Sequence, residues 1–147
     1  MSVADLKART QQIFDLFNTH DVQAASAYFA DEAELRDVAV ARPAIGPQQI
    51  AAIYARQLAA LPDSVVHIDR MVAEGDMVVV EWTLSGTHRG RMLGIPATGK
   101  PISFWGTTVA RMENGKIVDE FAVAEKMGAV MFGVTSWLDE VGWRPKT

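Results

Sequence analysis

Apolar positions recur first at helical and then at strand spacing along the 147-residue chain. Ser2 and Asp5 stand three apart, the spacing of a capping box, so a helix is predicted to start there. Leu6, Ile13, Phe14 and Phe17 then fall near one stripe of a 3.6-residue period. The stretch FNTHD (residues 17–21) breaks that stripe, and Asp21 is placed to cap a second helix running to about Phe29. Residues 33–40, AELRDVAV, read as an extended segment. Pro43 and Gly46 mark a loop, and Pro47 suits the first turn of a third helix. Ile50, Ile53, Tyr54, Gln57, Leu58 and Leu61 carry its apolar side, and Pro62 stops it.

Beyond Pro62 the period changes from 3.6 to 2. SVVHIDRMVA is a strand, EGD a turn and MVVVEWTLSG a second strand. A glycine-punctuated loop, Gly86–Lys100, separates it from a third strand, PISFWGTTVARM. ENGK is a tight Asn-Gly hairpin turn leading into a fourth strand, KIVDEFAVAE. A tail over residues 127–147, with Met131, Phe132, Trp137, Leu138 and Trp143, is expected to cover apolar surface of this subunit or a neighbour. The order predicts one α+β domain over residues 1–147, with three N-terminal helices packed on a curved, mostly antiparallel sheet. Helices laid over such a sheet leave room for a small-molecule pocket.

Composition narrows the chemistry. Hydrophobic residues make up 49% of the chain, enough for a sizeable core. The net charge of −4 points to neither nucleic acid nor an anionic membrane as a partner. With no cysteine, disulfides and thiolate chemistry are impossible. Met1–Thr10 has no secretory pattern, so the cytoplasm is the expected location. The three histidines, His20, His67 and His88, have no metal-ligand spacing, and no phosphate loop, dinucleotide fingerprint or nucleophile elbow is present. The expectation is therefore no metal and no cofactor.

The segment AEGDMVVVEWTLSGTHRGRMLGIPATGKPISFWGTTVARMENGKIVDEF (residues 73–121) carries a set of motifs in order: Gly75–Asp76, Gly86–Thr87–His88 with Gly90, Gly94–Ile95–Pro96, Thr98–Gly99–Lys100 and Gly115–Lys116–Ile117. Together with NTHD and YFADEAEL in the first half, it resembles the SnoaL-like polyketide cyclase family. That family is a branch of the superfamily shaped like nuclear transport factor two and ketosteroid isomerase. The resemblance implies a cone-like α+β barrel, a homodimer and a pocket between sheet and helices. It leaves the reaction open, since fold is not function.

Two residue-level expectations come with the resemblance. In the isomerase relatives a general-base aspartate follows the helix end, and FADEAELRD puts Asp37 at the matching spacing. Those relatives also use a first-helix tyrosine, where this chain has Ile13 or Phe14. In the cyclases the strand after Gly-Lys-Ile carries a tryptophan followed by an acid/base aspartate. Here Phe121 and Ala122 occupy those places, and a methyl group cannot move a proton.

The candidate catalytic residues are thus Asp37, Glu120 and His88. A carboxylate in an apolar cavity becomes a better base near neutral pH. Glu120 shares a strand face with Ala122 and should reach the same cavity, with Asp119 facing away. His88 either exchanges protons at the cavity mouth or orders the loop through a hydrogen bond. Trp82, Trp105, Phe14, Tyr54 and Ala122 are the candidate substrate-binding residues, although the two tryptophans serve equally as core or subunit contacts. Arg91 and Lys100 read as a solvated rim. His67 and Asp69 share a strand face outside the core; side chains two apart stand about 7 Å from each other, which makes direct contact strained. The functional expectation is a cofactor-independent enzyme of specialised metabolism performing cyclisation, isomerisation or dehydration on a small apolar or aromatic, polyketide-like substrate. The alternative is a non-catalytic small-molecule binder, or a dimeric scaffold of the same fold.

Overall fold

A computed structural model describes residues 1–37 and 40–125; the expected covering tail lies outside the described residues. Helix α1 (Val3–Asn18) starts on a complete capping box: Ser2 Oγ accepts from the Asp5 amide at 3.1 Å and Asp5 accepts from the Ser2 amide at 2.9 Å. Helix α2 (Val22–Ser26) is capped by Asp21 and is shorter than its periodicity predicts. Phe29 is the reason. It is fully buried and pairs with Ile117, so it opens strand β1 (Phe29–Asp37) instead of ending a helix.

A two-residue strand, β2 (Ala44–Ile45), leads into helix α3 (Gly46–Ala60). Gly46 has φ +79°, and a Cβ there would lie 2.7 Å from the Asp31 carbonyl oxygen, so only glycine fits this turn. Strands β3 (Val65–Glu74), β4 (Met77–Thr87), β5 (Pro101–Glu113) and β6 (Lys116–Ala124) follow.

The strand order is β2-β1-β6-β5-β4-β3. All neighbours are antiparallel except β1 and β6, which run parallel. The cone-like barrel expected from the resemblance is not formed: the sheet is an open, mixed layer of six strands, neither closed nor strongly curled. Closure would need β3 to pair with β2, and a two-residue strand offers almost no ladder to a ten-residue one. Instead α1 packs along β3, and α3 packs along β1 and β2, all on one face. The core, with Leu6, Phe29, Ile50, Leu61, Val78 and Val80 almost wholly buried, lies between these helices and the sheet. The opposite sheet face exposes Val79, Trp105, Phe121 and Val123. Among the described residues no helix is long and apolar enough to cross a membrane.

Candidate functional site

Strand register builds the floor of a cavity row by row. Trp82, Gly106 and Ala124 form one row across β4, β5 and β6. Val80, Thr108, Ala122 and Asp37 form the next, extended into β1. Val78, Ala110, Glu120 and Leu35 form a third. Each row has a glycine or alanine at its middle, Gly106, Ala122 and Ala110, which thins the floor beside Thr108 and Glu120. Space remains for a cavity of about 110 Å³. Phe14 and Phe17 from α1 and Ile53 and Tyr54 from α3 form its roof. The Tyr54 ring is fixed edge-on against Phe17, with centroids 5.2 Å apart, and against Phe29 at 6.4 Å.

Three ionisable groups line this cavity among the described residues: Asp37, Tyr54 and Glu120. All three are acids. Glu120 is buried and forms no hydrogen bond or ion pair among the described residues. Burial above all, then the negative charges of Asp37 and Asp119, pushes its carboxyl up to about 8. It is therefore a carboxylic acid at neutral pH, able to donate a proton. Burial, and then the charges of Glu120 and Asp37, likewise raises the Tyr54 phenol well above its ordinary value, so it stays a neutral donor. Asp119, one position from Glu120, points to the opposite face and pairs with Arg36 at 3.4 Å.

The remaining candidates separate cleanly. Phe14, Tyr54, Trp82 and Ala122 line the cavity beside Asp37 and Glu120. Trp105 does not: it is 58% exposed on the open face of the sheet. His88 does not line it either. Its Nδ1 lies 3.0 Å from Thr98 Oγ1, its amide donates to the Lys100 carbonyl, and its own carbonyl accepts from Gly99. The next two amides, of Arg89 and Gly90, both donate to the Ala60 carbonyl, and a Cβ on Gly90 would strike the Ala59 oxygen at 2.2 Å. His88 thus ties the loop to itself, and the two amides after it stitch the loop to the end of α3.

His67 and Asp69 are in contact after all, Nδ1 to Oδ1 at 3.1 Å. The ladder slips by one residue between Ile68 and Arg70, and this bulge re-aims Asp69 toward His67 and Thr83. Both stay on the open face.

Sequence reasoning missed Thr108. It is buried in the cavity floor, and its Oγ1 accepts a hydrogen bond from Trp82 Nε1 at 3.0 Å. Trp82 can lie there only because residue 106 is glycine; a Cβ would come within 2.5 Å of the indole. No cluster of three or more His, Asp or Glu residues suited to a metal ion occurs among the described residues.

The model of the SnoaL-like polyketide cyclases matches residues 7–131, and the chain belongs to that family. It is 32% identical over 76 residues to nogalonic acid methyl ester cyclase from Streptomyces nogalater, a match covering 52% of this chain and 57% of that relative. The solved structure of AclR from Streptomyces galilaeus, a proposed hydroxylase, superposes with a TM-score of 0.81 at 20% identity, over 91% of this chain and 98% of that one. IdmH from Streptomyces antibioticus, a proposed polyketide cyclase, gives 0.76 at 19% identity, over 88% and 98%. TsrD from Streptomyces laurentii gives 0.75 at 24% identity, over 87% and 93%.

Proposed function

We propose that the chain is a cofactor-independent enzyme that enolises a small, neutral, polyketide-like ketone and closes or rearranges it by acid/base chemistry. The observation that carries this reading is the pair of carboxyl groups, Asp37 and Glu120, in one otherwise apolar cavity, with Glu120 held protonated. A carboxyl held protonated beside a second carboxyl lets the pair divide acid and base roles between them. Asp37 takes a proton from the carbon next to a carbonyl, and Glu120 gives its proton to the carbonyl oxygen, leaving an enol. The enol carbon attacks a second carbonyl of the same molecule. The new alkoxide takes the proton from Asp37 as the enol oxygen returns its own to Glu120, and both residues are restored. The cyclase name of the curated relative supports the substrate class.

Ala122 stands where the cyclases of the family place their aspartate. In this reading Asp37, beside Ala122 in the same row, supplies the carboxylate from the neighbouring strand. His88 serves the loop instead of the reaction. A homodimer would cover the apolar part of the open face around Trp105, and the cytoplasm remains the expected location.

Proton exchange tests the reading directly. In deuterated buffer, 2-tetralone should lose its α-protons to solvent faster with enzyme than without, as followed by NMR. General-base catalysis typically contributes about 10²–10⁴-fold, so D37N should lose at least about 100-fold. Full exchange by D37N removes Asp37 from the base role. Binding of 2-tetralone without any accelerated exchange would make the protein a binder.

A further inference from the structure

Thr108 has an unmet obligation. A hydroxyl has one proton and two acceptor positions. The Trp82 indole N–H can only donate, so the bond between them occupies an acceptor position of Thr108 Oγ1 and leaves its proton unused. Among the described residues that proton has no acceptor. Thr108 is 7% exposed and Trp82 9%, so bulk water does not readily supply one. The Trp82 bond also limits how the hydroxyl can turn.

Thr108 and Asp37 lie in one row, separated by Ala122. Strands stand about 4.8 Å apart, which puts the two backbones roughly 10 Å from each other. Both side chains line the same cavity, on either side of the Ala122 methyl. A ketone seated over that methyl would have Asp37 on one side and Thr108 on the other.

We infer that Thr108 is a substrate-binding residue that donates its hydroxyl proton to the carbonyl oxygen of a neutral ketone seated over Ala122, and that Trp82 is a positioning residue that aims it. This rests on the enolisation reading above and adds a second donor beside Glu120, so that the developing enolate oxygen sits between two preorganised donors. The cavity presents only acidic ionisable groups among its described lining, which favours the neutral ketone over a carboxylate at this position.

Calorimetric titration with 1-tetralone and tetralin, one skeleton with and without the carbonyl, tests the inference. Wild type should prefer the ketone by about tenfold, the scale of one satisfied buried hydrogen bond. T108V should lower the preference several-fold, to what Glu120 alone supplies, T108S should keep it, and W82F should reduce it part-way while leaving the hydroxyl in place. The carbonyl stretch of bound 1-tetralone in wild type should move to lower frequency than in hexane, a readout that needs no variant to fold. An unshifted stretch, or a preference as large in T108V as in wild type, overturns the assignment of Thr108 while tetralin binding still upholds the cavity. Failure of both compounds to bind overturns the ligand-cavity reading itself and this inference with it.

Discussion

Asp119 and Glu120 are neighbours on one strand and live in different solvents. Asp119 faces the open side of the sheet, half-exposed, where Arg36 pairs with it and lies over the ring of Phe121. Glu120 faces the helices, where it meets methyl groups, a phenol and another carboxyl. The same functional group is an ion held by a partner on one side and a neutral acid held by its surroundings on the other. A sheet one residue thick separates a surface where charges are hydrated from a cavity where a charge is refused.

The largest effect that would break this contrast is in E120Q. Glu120 titrates near 4.5 in the unfolded chain and near 8 in the folded one. Below pH 4.5 both states are protonated and the refused charge adds no cost. Between these values the unfolded state sheds the proton and the folded state keeps it, so wild-type stability falls by about 1.4 kcal/mol per pH unit. Glutamine has no such dependence. Urea unfolding should therefore find the two proteins similar near pH 4.5 and E120Q more stable by on the order of 4 kcal/mol at pH 8. Parallel pH profiles would mean that Glu120 is ionised in the fold.

A middle-sized effect concerns the open face. Its apolar residues need a cover if the protein is a homodimer, and W105E should then yield monomers in analytical ultracentrifugation at concentrations where wild type sediments as a dimer. Wild type sedimenting as a monomer would sink the dimer. The smallest effect is D119N. Because its ion pair is exposed, the variant should shift stability by no more than about 1 kcal/mol in the same urea experiment. A larger loss would show that Asp119 does more than meet solvent and Arg36.

Much of this was legible in the sequence. The capping box at Ser2, the stop at Pro62 and the hairpin at Asn114–Gly115 all stand where local chemistry puts them. So does the facing of Glu120 and Asp119, since alternation along a strand needs no tertiary information. What failed depended on pairing. Counting from the Asn114–Gly115 turn sets Thr108 opposite Phe121, but the ladder slips between Arg111 and Met112 and sets it opposite Ala122. A similar slip brought His67 to Asp69. Thr108 was invisible for the same reason, because its meaning comes from Trp82 and Ala122 on other strands. The face occupied by each tryptophan also needed the register, which a long loop between β4 and β5 does not fix.

The parallel pairing of β1 with β6 has a consequence for how the protein is made. Asp37 leaves the ribosome roughly 80 residues before Glu120, and nothing in between can bring the two together. Helices and the β3–β4–β5 meander can assemble locally while synthesis continues, whereas this long-range closure waits for the last strand. The cavity is thus finished only at completion: a chain stopped before β6 holds Asp37 on a strand with no partner on that side and lacks Glu120 beside it.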